Sequence, residues 1–146
     1  MKKIMVLAVA AILISFQLYA QKAEIFSAEG KAIRGYDVVA FFTESTAVKG
    51  FDSISYNWKD ALWVFSSTAN KQLFIADPEK YAPQYGGYCA YGTADGHKAP
   101  TQVNTWTILN NKLYFNYNNK VKELWNKNTI AFIKLADEKW PALKNN

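Results

Sequence analysis

Two apolar runs, Trp106-Thr107-Ile108-Leu109 and Leu113-Tyr114-Phe115, stand on either side of Asn110-Asn111. Asparagine tolerates the positive φ that a tight two-residue turn demands, so this segment predicts a β-hairpin. Upstream, Ser53 to Trp58 alternates, with Ile54, Tyr56 and Trp58 on one face and Ser53, Ser55 and Asn57 on the other. Leu62 to Phe65 follows Lys59-Asp60-Ala61, and the pair predicts another hairpin. The apolar run Asp37 to Phe42 predicts a further short strand.

Helical signals lie between and after the hairpins. Ser66 or Ser67 can cap a helix by accepting a bond from a free backbone N–H. That helix is expected to bury Leu73 and Phe74 and to stop by Asp77, because Pro78 disfavours helix at the residue before it. In the tail, Val121, Leu124 and Trp125 share a face at i, i+3 and i+4. After a break near 126–128, Ile133, Ala136 and Trp140 repeat that face, and Pro141 limits the end. The expectation is an α+β domain: a small antiparallel sheet built from two hairpins, short helices between them and a C-terminal helical segment.

The N-terminus carries a different kind of signal. Lys2 and Lys3 precede an apolar stretch from Ile4 to Phe16, broken only by Ser15, and Leu18-Tyr19-Ala20 offers a cut after Ala20. This is the layout of a cleavable secretory signal, and the apolar run is shorter than the roughly 20 residues that span a bilayer. Residues 1–20 are therefore expected to leave, 21–32 to form a loose leader and 33–143 to form one domain. The protein would work in the periplasm or as a secreted protein, with no transmembrane segment after signal removal. Of the +5 formal charge, Lys2 and Lys3 contribute two. Residues 98–146 hold eight lysines against Glu123, Asp137 and Glu138, a pattern that fits a solvated helix face. No basic cluster with base-reading residues appears, so nucleic acid is not an expected partner.

Several segments together resemble a known family. Phe65-Ser66-Ser67, Leu73-Phe74 and Asp77-Pro78-Glu79-Lys80-Tyr81 look like the YHS domain, a small module of metal-handling and exported bacterial proteins. Gly35-Tyr36-Asp37, Ala40-Phe41-Phe42, the run Tyr81 to Tyr91, Lys98-Ala99-Pro100 and Trp106-Thr107 are similar to an exported YHS subfamily. In that subfamily the position of Cys89 is cysteine in some members and selenocysteine in others, which implies thiol or selenol chemistry there. Two departures stand out. Val38 occupies a position that is usually proline. Val39 or Ala40, Ser66 and Ser67 occupy places where the metal-binding relatives carry cysteines, so the multi-cysteine metal site is missing.

Cys89 is the single cysteine and cannot form an internal disulfide. It either packs as a small hydrophobe or works as a thiol. The working reading rests on its setting: Gly86-Gly87 can turn the chain, and Tyr88 to Thr93 can start a short helix whose free N–H groups would lower the thiol pKa. His97, the only histidine, lies in the polar turn Asp95-Gly96-His97-Lys98. Cys89 and His97 are two candidate ligands for a soft metal such as copper or zinc, at a spacing that matches no known metal motif. Tyr85, Tyr88 and Tyr91 recur every three residues, a spacing that fits core packing or one side of a pocket around Cys89, and Lys98 either stays solvated or stabilises a nearby thiolate by charge. Asp37 is explained as a cap or turn residue, or as an orienting group. No phosphate loop, serine nucleophile elbow or paired carboxylates are present.

The leading expectation is an exported YHS-like protein of unassigned activity that uses the Cys89 thiol for redox chemistry or soft-metal binding. It would need an outside thiol or disulfide partner, because no second cysteine exists. The alternative is a non-catalytic binding module with an aromatic cleft for a small ligand or protein partner, Cys89 being structural.

Overall fold

The computed structural model describes residues 22–146. The apolar run before Phe16 and the cut after Ala20 lie outside the described residues. Strands β3 (Phe51–Trp58) and β4 (Ala61–Phe65) form the first predicted hairpin, with Tyr56 opposite Trp63. Strands β5 (Gln102–Leu109) and β6 (Lys112–Asn116) form the other, with Thr107 opposite Tyr114. Each turn holds two successive residues at positive φ: Lys59 at 49° and Asp60 at 56°, Asn110 at 51° and Asn111 at 60°. This double left-handed turn matches the twist of the strands it joins. Lys59 is a poor residue for it, and its ammonium is held from outside by Glu24 at 3.0 Å and Glu79 at 3.3 Å.

The class is α+β, with six helices among the described residues and a helix at the C-terminal end. The hairpins do not merge into one sheet. They remain separate two-stranded sheets beside a third, minimal one between β1 (Ser27–Ala28) and β2 (Lys31–Ala32). Side chains join them instead. Phe41 of helix α1 (Val38–Thr43) meets Trp106 of β5 and Phe115 of β6, both at 5.4 Å between ring centres. Trp63, Phe65 and Phe74 complete the same core, and Phe74 stacks on Trp63 at 5.0 Å. Burying one such aromatic contributes about 2–3 kcal/mol.

Several local expectations change. The segment Asp37 to Phe42 is not a strand; Val38–Thr43 is helical. A continuous apolar run carries no period, so a fully buried helix reads like a buried strand. Asp37 decides the matter, because its Oδ1 accepts from the N–H groups of Val39 at 2.9 Å and Ala40 at 3.3 Å, capping the helix. Helix α2 (Thr68–Ala76) is capped by Ser67, which accepts from Asn70 N–H, and ends at Asp77 before α3 (Pro78–Tyr81). It buries Phe74 but leaves Leu73 42% exposed, since adjacent helical positions cannot share one buried face. The stretch expected as a loose leader carries Ile25 and Phe26 into the interior, with Phe26 N–H donating to Gly86 at 2.8 Å.

In the tail, α5 (Asn119–Asn126) buries Trp125 and α6 (Thr129–Leu143) buries Ala136. Pro141 does not end α6, which runs two residues further. Proline removes its own N–H, yet Lys144 N–H still donates to Trp140 at 2.9 Å. None of the described helices is long and apolar enough to cross a membrane.

Candidate functional site around Cys89

Cys89 sits immediately before helix α4 (Ala90–Asp95), which ends at Gly96 with φ 95°. Gln84–Gly87 makes the tight turn ahead of it, with Tyr85, Gly86 and Gly87 all at positive φ. Gly86 is required there. A Cβ on it would lie 1.8 Å from the carbonyl oxygen of Glu24. Cys89 is then held against the end of β6 by a parallel bridge to Phe115, and its N–H donates to Ala99 at 3.0 Å.

The sulfur is surrounded by main-chain donors from two separate segments. Gly92 N–H of α4 reaches Sγ at 3.4 Å, and Tyr117 N–H, just past β6, reaches it at 3.2 Å. The Cys89 S–H in turn donates to Oδ1 of Asn116 at 3.5 Å, and the same oxygen accepts from Tyr91 N–H at 3.2 Å. The residue is only 2% exposed. Burial pushes the thiol pKa above its ordinary value, and the N–H groups of Gly92, Tyr117 and Tyr91 pull it back only in part. The sequence expectation of a lowered pKa is therefore reversed: the helix-start donors are present, but desolvation outweighs them.

An apolar pocket of 300 Å³ lies beside Cys89, which lines it together with Tyr91, Gly92, His97, Ala99, Tyr117 and Val121. The predicted tyrosine trio divides around it. Tyr91 lines this pocket and packs on Phe132 at 5.0 Å. Tyr85 faces a different cavity of 330 Å³, whose walls include Glu24, Lys59 and Trp140. Its phenol donates to Asp137 at 2.8 Å, and burial first, then that carboxylate, pushes its pKa well up. Tyr88 packs between Phe26 and Trp140 and donates to the carbonyl of Ala23 at 2.7 Å. Spacing of three fails to gather the trio because the Gln84–Gly87 turn interrupts the helix that would have stacked them.

Lys98 does not serve the thiol. It is buried, and its ammonium donates to the carbonyls of Lys22, Lys144 and Asn146 at 2.9, 3.1 and 3.0 Å while lying over the rings of Tyr88 and Trp140. It ties the start of the described chain to the end of α6. His97 does face the Cys89 pocket, over Gly92, with its Nδ1 3.5 Å from Asp95. Cys89 and His97 thus share one wall as two possible soft-metal donors. Among the described residues no group of three or more histidine, cysteine, aspartate or glutamate side chains could hold a metal ion.

Two contributors escaped the sequence reading. Asn116 and Tyr117 belong to the site only because a parallel bridge brings Cys89 beside the end of β6, a pairing with no local signal. Ser66 is turned away from the site and donates its hydroxyl to Asp37 at 2.7 Å.

Comparison with known proteins finds no matching family model, no matching curated protein and no matching solved structure.

Proposed function

We propose that the protein is an exported YHS-like module whose working group is the thiol of Cys89, acting on small uncharged reagents. The observation that carries this reading is the pair of main-chain N–H groups, from Gly92 and Tyr117, that converge on Sγ of a cysteine lining an apolar pocket. Such donors offset negative charge on sulfur as it attacks. The attack we favour is disulfide exchange. Sulfur of Cys89 bonds to one sulfur of a disulfide, the old S–S bond breaks, and the second half leaves as a thiolate that takes up the Cys89 proton. With no second cysteine in the chain, an outside thiol must release the mixed disulfide.

Soft-metal binding is the weaker form of this proposal, because Cys89 and His97 supply two donors where copper or zinc needs further ligands from elsewhere. The family resemblance and the apolar run after Lys3 support export through a signal removed after Ala20. The test is a mixed-disulfide assay on the folded mature protein with 4,4′-dithiodipyridine, which is neutral, against dithiobis(nitrobenzoate), which is anionic. The proposal expects capture of the neutral reagent at Cys89 and much slower capture of the anionic one. Exclusion of both from the native protein would count against it.

A second reading is favoured by the burial of Cys89: a non-catalytic module that binds a small ligand or protein partner, with the thiol as packing. It predicts that Cys89→Ala folds normally and retains every ligand the protein binds.

A further inference from the structure

Asn116 is fully buried at the end of β6. Its backbone N–H donates to the Thr105 hydroxyl at 2.8 Å, and the single proton of that hydroxyl lies between the carbonyls of Gln102 at 2.6 Å and Asn116 at 2.9 Å. The side-chain amide is clamped. Tyr91 N–H is a fixed donor, so the group it meets at 3.2 Å must be the amide oxygen and not the NH2. That choice leaves Nδ2 buried with no partner among the described residues. A flip of the amide would set two donors against each other at Tyr91 and would still leave one end unpaired. The oxygen therefore stays, and it lies 3.5 Å from Sγ.

An acceptor held in that place discriminates between the two forms of the thiol. A neutral S–H donates to it. A thiolate presents lone pairs to lone pairs, and the oxygen repels it. Gly92 and Tyr117 push the other way, since their N–H groups favour negative sulfur. Nothing charged on the pocket wall overrides this contest. The titratable side chains there are Tyr91 from α4, Tyr117 from the β6–α5 connection and the exposed His97 with Asp95 beside it, and α5 contributes Val121. The Lys98 ammonium is occupied by backbone carbonyls.

Resting on the thiol reading above, we infer that Asn116 is a positioning residue that holds Cys89 in its protonated form. The arrangement suits a lone thiol in an oxidising compartment, where a standing thiolate would be oxidised or capped before it met its reagent.

The test titrates Cys89 by its ultraviolet thiolate absorbance in the folded mature protein, each trace referenced to Cys89→Ser. This readout needs no access of a reagent to the sulfur. Asn116→Asp keeps the acceptor for Tyr91 N–H and adds negative charge beside sulfur, so the midpoint should rise. Asn116→Leu removes the oxygen at similar volume, so the midpoint should fall by about half a pH unit or more. Asn116→Ala serves the same purpose if the leucine variant does not fold. Opposite shifts are the expected result, because a merely structural role would loosen the site and move both variants the same way. A midpoint that falls or stays put in Asn116→Asp overturns the inference. Alkylation of the same proteins separates the two levels. Wild-type protein that reacts while the variants fail to split loses only the role of Asn116, whereas wild-type protein inert until unfolded loses the thiol reading and this inference with it.

Discussion

The carboxylate of Asp37 accepts the hydroxyl hydrogen of Ser66 at 2.7 Å, across 29 positions of sequence. Its two oxygens take further bonds from Ser66 N–H and Asn70 Nδ2, both at 2.8 Å, and from the first turn of α1. A fully buried carboxylate is tolerable only when its lone pairs are filled in this way. Asp37 thus staples α1 to the start of α2. Asp37→Ala should cost about 3 kcal/mol or more, because it strands several buried donors at once. Urea unfolding of the variant checks this, and a loss below about 1 kcal/mol would show that water fills the gap.

Gly86 allows the chain of Glu24 and Ile25 to cross the turn before Cys89. Gly86→Ala combines a positive φ of 62° with a backbone clash, whereas Gly30→Ala, at φ 77°, meets nothing within 4 Å. The Gly30 variant should lose about 1 kcal/mol from the left-handed conformation alone. The Gly86 variant should lose several times that, or fail to fold. Thermal melts of both proteins side by side make the comparison, and equal losses would mean that the crossing can move aside.

How far these features were readable in the sequence depends on how local their causes are. The Asn110-Asn111 hairpin and the Ser67 cap follow from residues a few positions apart, and both form. Lys59-Asp60 turns in the same way although lysine, unlike aspartate, has no preference for positive φ, the lysine being held by Glu24 and Glu79 from elsewhere. Helix α1 carries no periodic signal because Val38 to Phe41 is buried all round, and only the cap from Asp37 marks it. At the candidate site, the turn at Gly86-Gly87 and the short helix after Cys89 were legible. The second half of the sulfur's surroundings, Asn116 and Tyr117, arrives through the Cys89–Phe115 bridge, which nothing near either residue announces.

The raised pKa of Cys89 has a consequence for stability. Burial is its first cause, so the folded state keeps the thiol proton in a pH range where the unfolded chain releases it. A folded pKa above the unfolded one stabilises fully below the unfolded value, and that contribution is lost as pH rises through the folded one. Burial raises Tyr85, Tyr88 and Tyr114 in the same sense, but Cys89→Ser retains all three. The stability difference between wild type and Cys89→Ser should therefore shrink between pH 7 and about pH 9.5, above the free-thiol pKa of about 8.5. Denaturant midpoints at the two pH values measure it; a constant or widening gap would refute the assignment.

The most direct measurement is the rate at which iodoacetamide alkylates Cys89 in folded protein, followed across pH beside the rate of global unfolding. A thiol accessible through the pocket that Cys89 lines predicts modification far faster than unfolding, with a midpoint above that of a free thiol. Modification no faster than unfolding would contradict a working thiol and leave Cys89 as part of the core of a binding module.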